Sequence, residues 1–312
     1  MLLQSTVGVI GSSASVSPNN FYVKSFRNAN PNIHVSRNSS IAFHPHSNLL
    51  LISSRNTIDM IQIDGARNPS VASYSIKDKK LMNCNLKSKF SASGDTIYSI
   101  CEAPALYITD TQTGITTSIP HKVERGRKKG MEKLAISPNN SLIACAADNG
   151  CVRFFNGSSK LMLNEIGVGK NVNDLCFTSD GNYLSLATGS QFMIWDLRMH
   201  KKLISHEDEG SMKTLSVHVS PNMKYYACGS TSGVVNIYDW NKTVSMAATP
   251  ADEYTVKPIK AVMNLTSNAE VVVFNAASNL LGFSNGTTFR LAHLPTCQVI
   301  PHFPKSATTA YG

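Results

Sequence analysis

One unit returns six times along this chain: a short apolar strand, a Ser/Asn/Asp turn with Pro or Gly, and two further strands. The strand that opens each copy ends at Phe43, Phe90, Ile136, Phe177, Val219 and Phe274, at intervals of 47, 46, 41, 42 and 55 residues. A strand unit of this length cannot bury both its faces alone, so successive copies must stack against one another. The pattern therefore predicts an all-β chain built from repeated small sheets.

The fourth copy is the most regular. VNDLCFTSDGNYLSLATGSQFMIWDLRMHKKLISH predicts strands at 173–177, 183–187, 192–196 and 202–206, with a turn at Ser179, Asp180 and Gly181. Leu175 and Phe177, then Leu184 and Leu186, alternate with the two-residue period of a strand. In the first, second, third and fifth copies the third strand ends near Asp64, Asp110, Asn156 and Tyr238-Asp239, matching Trp195-Asp196 in the fourth, while the sixth lacks the terminal Asp. The bulky residue before the carboxylate or amide is expected to fill the wedge between neighbouring sheets. The Asp or Asn is expected to accept backbone N–H groups in the following turn. Gly150 and Gly233 sit where hairpins need a positive φ. A period near 45 with these features is the signature of a WD-repeat β-propeller with six recognisable repeats. Ring closure stays open between six and seven blades. Only one Trp-Asp pair occurs, no Gly-His opens a copy, and no complete Trp–Ser–His–Asp tetrad is assignable.

The expected boundaries are an N-terminal segment over 1–36, the propeller over 37–304 and a tail over 305–312. The N-terminal segment holds two strand-like pieces, 6–10 and 21–26, that could serve a closing blade. The fifth interval is long because 241–257, rich in Thr, Ala and Pro, is inserted between the third and fourth strands, and it reads as a surface loop.

Charged residues are only 16% and hydrophobic ones 42%, which suits a half-buried β protein and argues against a disordered one. The net charge of +9 favours polyanionic partners or an acidic protein surface. No two of the seven cysteines form a C-x-x-C pair, which excludes a zinc ribbon or a thioredoxin-like motif, and they read as reduced core residues. The apolar run 7–10 is too short and lacks a basic flank for a signal peptide. No segment approaches the ~20 apolar residues that cross a membrane.

The strongest charge cluster is the stretch 121–133, with Lys122, Arg125, Arg127, Lys128, Lys129 and Lys133 against Glu124 and Glu132. It falls between the second and third copies, on an expected exposed loop. Its cations could neutralise RNA phosphates without reading sequence, or dock an acidic protein. No aromatic residue is interleaved, so a base-stacking platform is not expected. A smaller cluster is Lys77, Lys79 and Lys80. Enzyme motifs fail on inspection. The segment 229–233 has Thr231 where a nucleophile elbow needs Ser. The segment 167–170 lacks the first glycine and the Ser/Thr of a phosphate loop. His44 and His46 flank Pro45 without further ligands for a metal. Asp180, Asp196 and Asp239 recur at turn positions. No catalytic residue, metal or cofactor is expected, and no small-molecule substrate.

The order of FHPHSNLLLISSRNTIDMIQID, FSASGD, SPNNSLI, CGSTSGVVNIYDW, KPIKAVMNL and TFRLAHLPTC resembles the propeller of the U3 small nucleolar RNA-associated protein 18 family, over roughly residues 37–303. The resemblance implies a scaffold subunit of the small-subunit processome, in the nucleolus of the nucleus. Its implied partners are other propeller subunits and U3 RNA or pre-rRNA, with no membrane. The family also carries a charged N-terminal extension that recruits a helicase, and a further Phe-Ser-Pro repeat after the sixth. Neither is seen here, so a short or truncated form is expected and helicase recruitment is not carried over. The rival reading is a WD-repeat adaptor outside ribosome biogenesis.

Overall fold

The computed structural model describes residues 40–64, 67–76, 85–102, 105–120, 130–147, 150–248, 255–263 and 265–300. These residues fall into two compact units, 40–171 and 172–300. The N-terminal segment, the two strand-like pieces in it and the C-terminal tail lie outside the described residues.

The first unit holds three four-stranded antiparallel sheets, each made of consecutive strands. The first is β1 (Ser40–Phe43), β2 (Leu49–Ser54), β3 (Thr57–Gln62) and β4 (Ser70–Ser75). The second is β5 (Lys87–Phe90), β6 (Thr96–Ile100), β7 (Ala105–Asp110) and β8 (Thr116–Pro120). The third is β9 (Lys133–Ile136), β10 (Leu142–Ala146), β11 (Cys151–Asn156) and β12 (Met162–Gly167).

The second unit repeats the arrangement. Its first sheet is β13 (Val172–Phe177), β14 (Tyr183–Thr188), β15 (Gln191–Asp196) and β16 (Lys201–Glu207). The next is β17 (Thr214–Val219), β18 (Tyr225–Ser230), β19 (Val235–Asp239) and β20 (Lys260–Val262). The last is β21 (Val271–Phe274), β22 (Leu280–Ser284), β23 (Phe289–His293) and β24 (Gln298–Val299). Each sheet is one propeller blade. The opening strands end at the six residues that define the repeat in the sequence, and the four strands of blade four match their expected positions to within one residue at each end.

The two-residue period sends alternate side chains of one strand into two different cores. In β6, Ile97 packs with Leu51, Ile58 and Phe90 toward blade one, while Tyr98 and Ile100 pack with Ile143 and Phe155 toward blade three. In β18, Tyr226 and Cys228 join Phe192 and Ile194 of blade four, while Ala227 joins Phe274 and Phe283 of blade six. The middle strands of a blade are therefore buried on both faces, which is why β6, β10, β14 and β18 have few exposed positions. Cys101, Cys145, Cys151, Cys228 and Cys297 are buried, and Cys176 is half-buried.

The turns between first and second strands share one device. The first turn residue accepts, through its side chain, the N–H five positions on: Thr96 to Ser91 (3.2 Å), Leu142 to Ser137 (2.9 Å), Tyr183 to Thr178 (3.1 Å), Tyr225 to Ser220 (2.9 Å) and Leu280 to Asn275 (2.9 Å). The residue three positions after it takes a positive φ, supplied by glycine at Gly94 and Gly181 but by Asn140, Met223 and Ser278 elsewhere. In blade one His44 replaces the hydroxyl, and its Nδ1 accepts the His46 N–H at 3.1 Å.

The insertion in blade five differs from the expected surface loop. Its first part is a helix, α1 (Trp240–Ser245), followed by a 3-10 turn over Met246–Ala248. Asp239 caps the helix by accepting the Lys242 N–H at 2.8 Å. Trp240 is buried, and Val244, Met246 and Ala247 pack on the core of blades four and five. Burial of Trp240 and the cap ahead of it, rather than propensity, fix so short a helix.

Candidate functional site

The carboxylates and amide at the ends of third strands serve turns, except Asp239, which caps α1. Asp64 accepts the N–H groups of Arg67 (2.8 Å) and Asn68 (2.9 Å). Asp110 accepts those of Gln112 (2.9 Å) and Thr113 (2.8 Å), and Asn156 those of Ser158 and Ser159, both at 2.8 Å. Asp196 accepts from Arg198 (2.9 Å) and Met199 (3.1 Å) and pairs with the Arg198 guanidinium at 3.2 Å. Burial opposes its ionisation, but the guanidinium and the two N–H groups outweigh it and hold the carboxyl below its ordinary value. These groups have their lone pairs committed to backbone and are poorly placed to act as general acids or bases.

The wedge-filling role differs between copies. Phe155 and Tyr238 are fully buried, whereas Trp195 is half-buried and Ile63 lies beyond the end of β3, exposed. Trp195 projects from the fifth position of β15, while Phe192 and Ile194 of the same strand occupy the core.

At the boundary of blades four and five the structure holds a polar network that the sequence did not reveal. The buried Asp208, on the connection between β16 and β17, accepts from Asn236 Nδ2 (2.8 Å), Tyr238 Oη (2.8 Å) and Thr214 Oγ1 (3.3 Å). Beside it, His206 Nδ1 lies 2.8 Å from the Glu207 carbonyl and Nε2 lies 2.7 Å from Tyr226 Oη. The carbonyl can only accept, so Nδ1 carries the proton and Tyr226 donates to Nε2. Burial lowers the His206 pKa, consistent with this neutral tautomer. Tyr226 is stacked between Phe192 (4.2 Å between centroids) and Tyr238 (4.9 Å). Tyrosines and an asparagine thus take the place of the missing tetrad. The one legible signal is a His and an Asp two residues apart just before a first strand.

Of the basic cluster, Lys122, Arg125, Arg127, Lys128 and Lys129 lie outside the described residues, as do Lys77, Lys79 and Lys80. Lys133 opens β9, paired with Ala146. The root of the stretch is fixed. The Met131 N–H donates to the Cys101 carbonyl (3.0 Å) and the Glu132 N–H to the Ala146 carbonyl (2.8 Å). Gly130 has no room for a side chain, since a Cβ there would sit 2.6 Å from Glu102 Cα. The Lys87 ammonium reaches the Glu132 carbonyl at 2.9 Å. Lys87 and Lys89 both face outward from β5, and Lys87 adds a cation to the root of the stretch.

Among the described residues no group of three or more His, Cys, Asp or Glu could hold a metal, and no helix is long and apolar enough to cross a membrane. Thr231 and Gly233 lie in the turn between β18 and β19, and Gly229 belongs to β18 itself.

Blades of four consecutive strands, capped third strands and a repeat near 45 residues define a WD-repeat β-propeller protein. The family model "WD domain, G-beta repeat" matches residues 121–156, the segment running from the basic stretch through β11. The U3 small nucleolar RNA-associated protein 18 homolog of Mus musculus is 29% identical over 310 residues, covering 97% of this chain and 54% of the relative. The homolog of Arabidopsis thaliana is 28% identical, covering 88% and 48%. The probable U3 small nucleolar RNA-associated protein 18 of Schizosaccharomyces pombe is 26% identical, covering 98% and 59%. The chain spans about half the length of these relatives, and its similarity to proteins named U3 small nucleolar RNA-associated protein 18 extends over most of its own length.

Proposed function

We propose that the protein is a non-catalytic WD-repeat scaffold of the small-subunit processome, working in the nucleolus in pre-rRNA processing. The observation that carries this reading is similarity across nearly the whole described propeller to proteins named for association with U3 RNA. Rigid blades hold connecting loops in fixed geometry, so recognition belongs to the loops. Other propeller subunits are the expected protein partners. The basic stretch of Lys122, Arg125, Arg127, Lys128, Lys129 and Lys133 is the proposed contact with U3 RNA, pre-rRNA or an acidic subunit. Its root, held by Met131 and Glu132, fixes where it emerges.

The test is recovery of U3 RNA and its proteins by the tagged chain, against a variant with Arg125, Arg127, Lys128 and Lys129 changed to Glu. Wild-type chain is expected to recover U3 RNA, and the variant several-fold less. If the four cations meet phosphates, the salt dependence of direct RNA binding should flatten by about 0.7–0.9 log units per lost contact. Equal recovery by the variant would remove the stretch from the interface. Failure of the folded wild-type chain to recover U3 RNA would favour an adaptor role outside ribosome biogenesis.

A further inference from the structure

Between blades one and two, on the side of the turns that follow their first and third strands, lies a cleft of about 420 Å³. That volume lies within the ~300–1,000 Å³ typical of clefts that enclose a ligand. Leu49, Met60 and Phe90 form an apolar floor, and Val71, 44% exposed, forms an apolar wall.

Both blades hold the cleft's shape without an occupant. Tyr74 of blade one donates to the Thr111 carbonyl of blade two at 2.8 Å, and the His46 Nε2 lies 3.0 Å from the Ala92 carbonyl. His44 stands edge-on to Phe90 at 4.9 Å between centroids. Its Nδ1 also meets the Ser47 hydroxyl at 2.7 Å. Gly94 lies flat against the same ring, since a Cβ there would sit 2.0 Å from Nε2. A preorganised apolar site loses little conformational freedom on binding.

Charge selects the occupant. Among the described residues Asp95 is the one carboxylate that lines the cleft and no Lys or Arg does, although the chain carries +9 overall. Burial keeps the His44 imidazole below its ordinary pKa and so neutral. Asp110 adds a second carboxylate next to Thr111, held ionised by the Thr113 N–H and hydroxyl and offset in part by Lys160.

We propose that this cleft docks a peptide segment of a partner protein, which inserts one apolar side chain against Met60, Phe90 and Val71 and sets an adjacent Lys or Arg on Asp95. The apolar anchor supplies desolvation and the carboxylate supplies orientation. The proposal is independent of RNA binding and of the family's role.

A panel of fluorescent nine-residue peptides, with one central Leu, Met or Phe beside Lys, is titrated into the full chain by polarisation. At least one lysine-flanked peptide is expected to bind. Changing its anchor to Ala, or making Val71→Glu in the protein, should weaken it by roughly 10-fold or more. Asp95→Lys should shift preference to glutamate-flanked peptides. Val71 and Asp95 lie on different blades and both are exposed, and each variant is compared with wild type by its melting curve. No binding by any lysine-flanked peptide at millimolar concentration overturns the proposal. So does wild-type preference for glutamate flanks, or binding unchanged in both folded variants.

Discussion

Replacing Tyr226 by Ala is expected to lower stability by about 3–5 kcal/mol, the cost of truncating a fully buried aromatic side chain. Tyr226→Phe is expected to cost about 1–2 kcal/mol, since it keeps the ring and removes only the hydroxyl. The difference follows from position. The ring lies nearly parallel to Phe192 and Tyr238 and meets Trp240 edge-on at 6.1 Å. The hydroxyl touches His206 Nε2 and lies 3.0 Å from Thr243 Oγ1. Removing the ring opens a cavity between two blades and under α1 at once. Urea unfolding followed by tryptophan fluorescence checks both values, because Trp240 reports on this site. Equal losses for the two variants would contradict a packing origin.

Asp208→Asn is expected to lower stability by about 1–3 kcal/mol at acid pH, with a gap to wild type that narrows as pH rises. The amide can accept as the carboxyl does, but its own NH2 meets the donors of Asn236, Tyr238 and Thr214. Burial raises the Asp208 pKa, and those donors only partly offset it. A raised pKa means that the fold holds this proton more tightly than the unfolded chain does. The resulting stabilisation is complete below the unfolded carboxylate value of about 3.9 and is lost as pH rises through the folded value. The amide does not titrate, so only wild type carries this loss. Unfolding midpoints measured from acid to neutral pH on both proteins decide it, and a gap that widens with pH would contradict the expectation.

Strand positions were legible where alternation and turn chemistry agreed. In blade four, Leu175, Phe177, Leu184 and Leu186 mark the faces, and Ser179, Asp180 and Gly181 mark the turn. The capping carboxylates were legible because Asp recurs at one repeat position and has a short-range partner. What escaped is set by long-range contact. The helix after Asp239 is six residues long and exists because Trp240 finds a core, so composition alone pointed to a loop. Asp208 lies in the run Glu207, Asp208 and Glu209, which reads as solvated surface until Asn236 and Tyr238 are placed 2.8 Å from it. Trp195 attracts attention as the repeat's namesake residue, yet Phe192 and Ile194 do the packing on that strand.

The boundary between blades four and five has a further consequence, for assembly order. The cores between blades one and two, two and three, and five and six are largely hydrocarbon, and one apolar blade face fits another with modest discrimination. Repeat chains are prone to pair the wrong neighbours as they emerge. A blade other than the fifth, placed against His206 and Asp208, would bury a carboxyl without Asn236, Tyr238 and Thr214, leaving it undonated at a cost of several kcal/mol. The joint is therefore keyed: hydrocarbon holds these two blades together, and a single acid determines which two they are.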